Sequence, residues 1–434
     1  MSRNPGFASG ARGALPLAVV ASLIWTAPHA WATGLEYRVA VIDRFQEVPP
    51  TTSTAFGCAR FVVDVCNNQL FYYIVFTGLS TPETGAHIHG PAAPGVNAGV
   101  KHALPGGNPK VGVWNYPQAD EADILAGRMY VNIHSTAFPG GEIRGQIVTH
   151  VAYLDGLQEV PANASTGFGY ALGNVDTDAN TLSYYIVFGG LSSAETAAHI
   201  HGLAEHGVNA GVKHPLPLGS PKVGVWAYAA ADEAGILDGM IYVNVHSTMF
   251  PGGEIRGQFV PYVVPMDGTQ EVPPNASAAA GCGLISLNVG TNVLGYDFRY
   301  ANLSAAETGA HIHGFAPPGA NAGVLHAMAA GTRKLGSWAY AAAQEAGILD
   351  SMTYANVHSV AFGGGEIRGQ IYFPAPDCPA DLDKDGTIGL PDLSIMLTNF
   401  GGPGGPCDGD LDGNGIVDLA DLSDLLTVFG LACP

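Results

Sequence analysis

The sequence predicts a mainly β protein, with three tandem antiparallel β-sandwich or barrel domains and a small α-helical C-terminal domain. Three observations support this fold class. One block of sequence recurs twice at a step of 112 residues, over 132–146, 244–258 and 356–370. Each copy contains short segments in which apolar and polar residues alternate, as in strands with one buried face. From Asp377 onward the chain carries eleven Asp and one Lys, which marks a segment of different chemistry.

A second block, Ala-His-Ile-His-Gly, keeps the same step at 86–90, 198–202 and 310–314. Two blocks held in register without net insertion indicate duplicated domains, and a unit of this length can bury its own core. We therefore predict repeat 1 at 33–149, repeat 2 at 150–261, repeat 3 at 262–374 and a tail at 375–434. Because no Gly/Ser linker separates the copies, we expect a semi-rigid string of domains.

The first 32 residues have the pattern of a secretory signal. Arg3 and Arg12 precede an apolar run at 14–25, and Ala30 and Ala32 form a small-residue cleavage site. The apolar run is too short to span a bilayer. We therefore expect a secreted, extracellular protein with no membrane span. The formal net charge of −20 repels nucleic acid, which excludes nucleic-acid binding as a function class.

Within repeat 1, the alternating pattern predicts strands at 36–41, 70–76, 85–89, 110–114, 128–134 and 142–148. One helical turn is predicted at 119–126. Gly127 follows it at the position where a left-handed residue ends a helix, and Gly239 and Ser351 stand at the same place in repeats 2 and 3.

The tail contains two twelve-residue segments, 381–392 and 410–421, with the spacing of calcium loops. Oxygen ligands fall at positions 1, 3, 5 and 12, a backbone carbonyl at position 7, and a glycine permits the sharp turn at position 6. Calcium needs several hard oxygens around one point, and this spacing supplies them. We predict two calcium ions, held by Asp381, Asp383, Asp385, Thr387 and Asp392 in the first loop and by Asp410, Asp412, Asn414, Ile416, Asp418 and Asp421 in the second.

An apolar-periodic helix is predicted after each calcium loop, and none can be identified before the first loop. Paired half EF-hands of this kind resemble the type I dockerin domain. The resemblance implies docking onto a cohesin-bearing extracellular protein, often within a polysaccharide-degrading complex. At loop positions 10 and 11, where that family often has recognition hydroxyls, this chain has Leu390-Pro391 and Leu419-Ala420.

The six cysteines are compatible with disulfides in an exported protein. Cys58 and Cys66 flank a predicted hairpin and could close it. Cys282 takes the place of Cys58 in repeat 3, where no partner of the Cys66 kind exists, and is expected to be a free thiol. Pairing of Cys378 with Cys433 would tie the ends of the tail, although the connectivity with Cys407 stays open.

Histidines recur in both repeated blocks. Because residues two apart in a strand share a face, His87 and His89 point the same way, and so do Asn132 and His134. If these strands are neighbours, three imidazoles converge in each repeat, as they do in zinc or copper sites. The candidate ligands are His87, His89, His134, His199, His201, His246, His311, His313 and His358.

Two further patterns accompany these histidines. His102, His214 and His326 also recur at the step of 112 and could add a ligand or a supporting partner. Glu142 and Arg144, two residues apart on one strand face, are expected to form an ion pair.

Three interpretations of the histidines remain open: hydrogen bonding to backbone carbonyls, a metal site, and catalysis. No copy offers a serine or cysteine nucleophile with a partnered base, nor the carboxylate pair of a glycosidase. We therefore expect a non-enzymatic extracellular binding or structural protein. The alternative is a metal-dependent oxidoreductase or hydrolase with one three-histidine site in each repeat.

The blocks His-Ile-His-Gly, Asn-x-His-Ser and Gly-Gly-Glu-Ile-Arg-Gly-Gln together resemble the CHRD domain, over about residues 35–373. Repeat 3 departs mildly, with Ala355 for the valine and Gly363 for the proline of the other copies. The resemblance implies an extracellular β-rich module without an established reaction.

Overall fold

A computed structural model describes residues 34–374, 378–405 and 407–433, so the predicted secretory signal lies outside the described residues. Each repeat forms one eight-stranded antiparallel sheet. The strands of repeat 1 are β1 (Leu35–Asp43), β2 (Phe56–Asp64), β3 (Gln69–Thr77), β4 (Glu83–His89), β5 (Val100–Ala103), β6 (Lys110–Asn115), β7 (Met129–Ser135) and β8 (Ile143–Ile147).

Repeats 2 and 3 have the same strands in the same order. Repeat 2 contains β9 (His150–Asp155), β10 (Phe168–Asp176), β11 (Thr181–Gly189), β12 (Glu195–Gly202), β13 (Val212–Pro215), β14 (Lys222–Ala227), β15 (Ile241–Ser247) and β16 (Ile255–Phe259). Repeat 3 contains β17 (Tyr262–Asp267), β18 (Ala280–Asn288), β19 (Val293–Ala301), β20 (Glu307–Gly314), β21 (Val324–Ala327), β22 (Arg333–Ala339), β23 (Thr353–Ser359) and β24 (Ile367–Ile371).

The sheet of repeat 1 runs in the order β5-β4-β7-β8-β1-β2-β3-β6 and curls around its own core like a barrel. Phe61 and Ile74 reach this core from one half of the sheet, and Ile88 and Ile133 reach it from the other. Repeats 2 and 3 have separate cores of equivalent residues. The prediction of a mainly β protein with three tandem barrel-like sheets is confirmed, whereas the small α-helical C-terminal domain stays a prediction.

All six strands predicted for repeat 1 are present, but β2 and β5 were not predicted. The predicted helical turn consists of a short 3-10 turn, Gln118–Asp120, followed by α1 (Glu121–Leu125). Gly127 closes it with a φ of +70°, and Gly239 and Ser351 have φ values of +72° and +58°. The equivalent helices are α2 (Glu233–Leu237) and α3 (Glu345–Leu349), preceded by the 3-10 turns Ala230–Asp232 and Ala342–Gln344.

The three repeats pack against one another, so the expected string of domains is wrong. The first strands of each repeat are apolar on both faces. One face lines the repeat's own core, and the other joins a central core shared by all three repeats. This central core includes Val39, Val41, Cys58, Val75, Tyr170, Leu172, Val263, Cys282 and Leu284.

Contacts between neighbouring repeats form a closed ring with approximate three-fold symmetry. Phe45 of repeat 1 packs on Phe168 of repeat 2, with ring centroids 4.6 Å apart. Asp155 of repeat 2 forms a 3.1 Å ion pair with Arg299 of repeat 3. The Tyr73 hydroxyl of repeat 1 donates to an oxygen of Asp267 in repeat 3 at 2.5 Å. The third repeat therefore returns to the first.

The disulfides differ from the expected pairing of Cys58 with Cys66 and from a free thiol at Cys282. Cys58 bonds to Cys282, and Cys66 bonds to Cys407. Cys58 and Cys66 stand near opposite ends of the extended strand β2, roughly 25 Å of chain apart, so they cannot meet. Cys282 holds the same place in repeat 3 as Cys58 in repeat 1, and both places face the central core.

The described part of the tail contains two short helices, α4 (Leu390–Asn399) and α5 (Leu419–Thr427). The Cys378–Cys433 disulfide joins its ends, as the sequence suggested. The Cys66–Cys407 disulfide and a 3.4 Å ion pair between Lys384 and Asp64 hold the tail against repeat 1.

Candidate functional site

The predicted histidines meet on the outer face of the sheet. Strands β4 and β7 are antiparallel neighbours, with His87 opposite Asn132 and His89 opposite Tyr130. His134 lies two residues beyond Asn132 and therefore approaches His87 diagonally. Since Ile88 points into the core, the two histidines beside it point away from the core and are only half-buried.

Backbone carbonyls orient two of the three rings of repeat 1. His89 Nδ1 lies 3.0 Å from the Ala98 oxygen, and His134 Nδ1 lies 3.1 Å from the Pro139 oxygen. Because a carbonyl only accepts, both Nδ1 atoms carry the proton, which leaves each Nε2 unprotonated. His87 Nδ1 lies 3.2 Å from His134 Nε2, and one nitrogen from each ring lies within 4.8 Å of the others.

The same arrangement recurs in repeats 2 and 3. His199 Nδ1 lies 3.1 Å from His246 Nε2. In repeat 3, where glycine replaces the proline, the Gly363 carbonyl still lies 3.2 Å from His358 Nδ1. We call the three clusters the histidine triads: His87, His89 and His134; His199, His201 and His246; His311, His313 and His358.

The chemistry of the triads suits a transition metal. The Nε2 atoms of His89, His201 and His313 are buried, and none has a hydrogen-bond partner among the described residues. Burial, together with the neighbouring imidazoles, lowers the pKa of His87 and of His89, which favours the neutral form that coordinates metal. Three converging ring nitrogens, with two of the rings held by backbone carbonyls through Nδ1, form the donor set of a zinc or copper site.

His102, His214 and His326 do not join the triads. His102 is paired with Ile88 across β5 and β4, which turns its ring toward the core. There it stacks on Trp114, with centroids 5.8 Å apart. His214 and His326 stack on Trp226 and Trp338 in the same way. The suggestion that these residues supply a further ligand is therefore wrong.

A stack of side chains supports each triad from the side. In repeat 1, His89 stacks on Tyr130 at 5.1 Å between centroids, and the Arg144 guanidinium covers the other face of the Tyr130 ring at 3.5 Å. Arg144 is 1% exposed and donates to Asn97 and Gln146. This stack fixes the orientation of the His89 ring.

The expected ion pair between Glu142 and Arg144 is absent among the described residues. Glu142 instead accepts hydrogen bonds from the hydroxyls of Ser53 and Ser80 and from the Ser80 amide, at 2.5 to 2.7 Å. Glu142 precedes the paired part of β8, so its side chain is not held on the Arg144 face by strand geometry. All three serine hydrogen bonds reach Oε1, and Oε2 is buried without a hydrogen-bond partner among the described residues.

Sequence reasoning missed a buried carboxyl beside this stack. Glu47, from the Gln-Glu-Val-Pro segment that opens each copy, is 5% exposed and lies 3.4 Å from the Asn132 side-chain amide. Burial raises its pKa to about 7, although Arg144 opposes the shift. Glu159 and Glu271 have pKa values of about 7 for the same reason. The recurrence of the Gln-Glu-Val-Pro segment in all three copies is the sequence signal that could have identified these carboxyls.

We predict that these three carboxyls make the protein less stable as pH rises. Their pKa values near 7 exceed the ordinary value of 4.5, so the unfolded chain releases these protons first between pH 4.5 and 7. A triple variant, Glu47→Gln, Glu159→Gln and Glu271→Gln, should lose less stability than wild type over this range. Denaturant titrations at pH 4.5 and pH 8 measure the change in the free energy of unfolding. An equal change in the wild type and in the triple variant would contradict the prediction.

The calcium-loop residues also converge. Carboxylate oxygens of Asp381, Asp383 and Asp392 lie within 4.8 Å of one another, and Asp381 and Asp392 are fully buried. Burial and the neighbouring carboxylates raise the pKa of Asp381, since like charges repel. Asp392 also accepts from the amides of Leu382 and Gly389, which fixes it at the start of α4.

The second loop makes the corresponding backbone hydrogen bonds at its twelfth position. Asp421 accepts from the amides of Leu411 and Asp418, and Asp410 Oδ1 is buried without a partner among the described residues. Asp418, which was predicted as a calcium ligand, caps α5 by accepting from the Ala420 amide at 2.7 Å. Gly386 and Gly415 both turn with a φ of +87°, as position 6 requires.

The remaining predicted ligands make hydrogen bonds within their own loops. Asp385 Oδ1 accepts from the amide of Thr387, and Asn414 Oδ1 accepts from the amide of Ile416. Asp412 accepts from Asn414. Each loop therefore has two buried acids that suit a calcium ion, Asp381 and Asp392 in the first and Asp410 and Asp421 in the second.

Comparison with known proteins identifies the repeats. The family model described as "CHRD domain" matches residues 39–147, 151–259 and 262–371, more than half of the chain. The chain belongs to the CHRD domain family. The three matches coincide with the three sheets, so each CHRD domain carries one histidine triad.

Two curated relatives resemble the CHRD domains. Chordin of Xenopus laevis is 26% identical over 224 residues, which cover 45% of this chain and 23% of the relative. Chordin of Danio rerio is 32% identical over 158 residues, covering 31% of this chain and 17% of the relative. The chain thus spans about a fifth of the relatives' length. No solved structure matches it.

The described residues contain no helix with the length and apolar character needed to cross a bilayer.

Proposed function

We propose that this chain is a secreted, non-enzymatic extracellular binding protein whose tail attaches it to another protein when calcium is bound. The CHRD domains and the resemblance to chordins support an extracellular binding or structural role. The signal pattern at 1–32 and the pairing of all six cysteines in disulfides support export. The docking role is inferred from the tail, where each of the two acidic loops lies beside an exposed leucine.

The tail presents an unusually apolar surface for so acidic a segment. Leu390 and Leu419, at position 10 of each loop, are 73% and 72% exposed. Met396 and Leu425 bury the opposite sides of the two helices. Other large apolar side chains exposed nearby are Leu397, Phe400, Ile416, Leu426, Phe429 and Leu431. Exposed apolar patches of this kind are typical of protein interfaces.

This tail is dockerin-like in our proposal, with recognition by apolar side chains in place of hydroxyls. A cohesin-like domain of an extracellular scaffold is the partner that the resemblance implies, and a polysaccharide-degrading complex is the corresponding setting. Calcium shapes the loops that begin α4 and α5, so it also sets the relative position of Leu390 and Leu419.

We expect the full chain to bind two calcium ions, measured by isothermal titration after chelation. Asp392→Ala and Asp421→Ala should each remove one ion, because each deletes the position-12 ligand. Asp424→Ala provides the control, since Asp424 lies exposed on α5 outside the loops. Unchanged stoichiometry in both loop variants, or no calcium binding by wild type, would sink the calcium role.

Docking is tested separately with a recombinant cohesin domain. Binding in calcium, lost with chelator and lost in the Leu390→Ala, Leu419→Ala double variant, supports the cohesin interpretation. A double variant that keeps both calcium ions but loses the partner shows that the leucines act in recognition. Binding that ignores calcium or the leucines would contradict it.

The alternative function is a metal-dependent oxidoreductase or hydrolase centred on the histidine triads. The convergence of three imidazoles in every repeat favours this candidate. Each triad would hold zinc or copper, and the metal would polarise or activate a molecule in its open position. Among the described residues, each triad supplies three ligands but no separate nucleophile.

We expect elemental analysis of the full chain to find about three zinc or copper ions, one for each triad. The variant His134→Ala, His246→Ala and His358→Ala should bring the content near zero. The variant His102→Gln, His214→Gln and His326→Gln should keep it, because those rings face the cores. A wild-type protein that stays free of metal after incubation with zinc and copper would remove the enzyme alternative.

A further inference from the structure

Two of the three histidine triads contain a hydrogen bond between their own rings. His87 Nδ1 lies 3.2 Å from His134 Nε2 in repeat 1. His199 Nδ1 lies 3.1 Å from His246 Nε2 in repeat 2. In both repeats, two of the converging nitrogens are therefore already bonded to each other.

The corresponding nitrogens of repeat 3 have no hydrogen-bond partner among the described residues. His311 Nδ1 and His358 Nε2 are both buried, and His313 Nε2 is in the same state. One nitrogen from each of these rings lies within 4.8 Å of the others. Repeat 3 thus brings three ring nitrogens together without satisfying any of them.

Repeat 3 also encloses its triad more tightly. His313 is 8% exposed, whereas its equivalents His89 and His201 are half-buried. The ring centroids of His313 and His358 lie 5.7 Å apart, and the equivalent distances in repeats 1 and 2 are 6.1 and 6.2 Å. Gly363 supplies the carbonyl that holds His358, where the other two repeats have proline.

Hydrogen bonds decide which ring nitrogens carry a proton in repeats 1 and 2. His134 Nδ1 donates to a backbone carbonyl, so its Nε2 is unprotonated and accepts from His87 Nδ1. The same contacts join His246 to His199. His87 and His199 are therefore Nδ1-H tautomers, with the proton on the nitrogen that faces the neighbouring histidine.

The rings of repeat 3 have a different proton arrangement. His313 Nδ1 and His358 Nδ1 donate to backbone carbonyls at 3.0 and 3.2 Å, which leaves both Nε2 atoms unprotonated. His311 Nδ1 donates to neither of them, so the proton of the His311 ring is assigned to its own Nε2. All three buried nitrogens are then unprotonated, which is the state that coordinates a metal ion.

Metal binding therefore starts from different states in the three repeats. An ion that enters repeat 1 or repeat 2 has to break a hydrogen bond between imidazoles and move a proton from Nδ1 to Nε2 of one ring. An ion that enters repeat 3 does neither, and it satisfies three buried acceptors. A neutral hydrogen bond changes an equilibrium constant by a factor of about 2 to 12.

We propose that the triad of repeat 3 is the high-affinity metal site of this chain, and that the triads of repeats 1 and 2 fill only at higher concentrations of zinc or copper. This inference rests on the metal binding proposed above for the triads. The chain then holds one ion when metal is scarce and three ions when metal is abundant. We expect the affinities to differ by about tenfold.

Zinc titration of the full chain against a chromophoric zinc chelator tests this order. Calcium is present in excess throughout, so that it occupies the loops of the tail. The wild type should show one tight site and two sites about tenfold weaker. Three equal sites would overturn the inference but leave metal binding intact, whereas a wild type that binds no zinc would remove both.

Single variants assign the tight site to a repeat. His358→Ala should remove the tight site and leave the two weaker ones. His134→Ala, the matched change in repeat 1, should keep the tight site and lose one weaker site. His326→Gln, whose ring faces the core of repeat 3, should keep all three. A tight site that survives in folded His358→Ala, or disappears in folded His134→Ala, overturns the inference.

The tautomers can be measured without metal and without any variant. Nitrogen-15 chemical shifts of the imidazole rings distinguish the Nδ1-H from the Nε2-H form. In the metal-free wild type at pH 8, we expect the Nδ1-H form for His87 and His199 and the Nε2-H form for His311. The same tautomer in all three rings would contradict the proposed difference between repeat 3 and the other repeats.

Discussion

Replacing both Cys58 and Cys282 with alanine should lower the free energy of unfolding of the three packed repeats by about 2–5 kcal/mol. The bond joins repeats 1 and 3 across 224 residues of sequence, inside the central core. Without it the unfolded chain gains freedom, and two buried sulfur atoms are lost from the packing. Denaturant unfolding followed by the fluorescence of Trp114, Trp226 and Trp338 measures the change.

The pair Cys66 and Cys407 is the control for this experiment. Its double alanine variant detaches the tail from repeat 1 but leaves the central core intact. Because this bond closes the longer loop, 341 residues against 224, its loss should release at least as much entropy in the unfolded chain, so any larger destabilisation of the Cys58, Cys282 variant measures the packing of the central core. If the Cys58, Cys282 variant unfolds at the wild-type denaturant concentration, the central core does not depend on that bond.

The Arg144→Ala variant should cost about 3–5 kcal/mol of folding stability, comparable to breaking a buried charge pair. Arg144 is 1% exposed and stacks on Tyr130 at 3.5 Å. Its removal leaves a cavity, frees the Gln146 oxygen and takes the positive charge away from the buried Glu47. Thermal and denaturant unfolding measure the loss.

Arg128→Ala is the matched control for Arg144→Ala. The Arg128 side chain is 52% exposed and pairs with Asp123 on the surface, where an ion pair contributes at most about 1 kcal/mol. Similar losses in the two variants would mean that burial and stacking do not explain the role of Arg144.

Much of the fold follows from local patterns in the sequence. The step of 112 residues defines three equivalent units, and alternation over segments such as 70–76 and 128–134 predicts strands that are present. The two-residue spacing of His87 and His89 predicts a shared face, which the pairing of β4 with β7 confirms. These predictions succeed because each depends on geometry within one strand or one pair.

The packing of the repeats could not be inferred from the same patterns. The pairing of Cys58 with Cys282 depends on contact between distant units, and an alternating pattern says nothing about which units touch. A signal did exist in β1, where Val39 and Ala40 are both buried and the strand is apolar on two faces. Similarly, only the register of β5 shows that His102 faces the core.

The closed ring implies how a shorter form of the chain would behave. Its contacts run head to tail, each repeat presenting one face forward and another backward, and they close after three units. This is the geometry of a cyclic homotrimer joined into one polypeptide. A single CHRD unit excised from it would expose both faces, and self-association into trimers is the assembly that would cover them again.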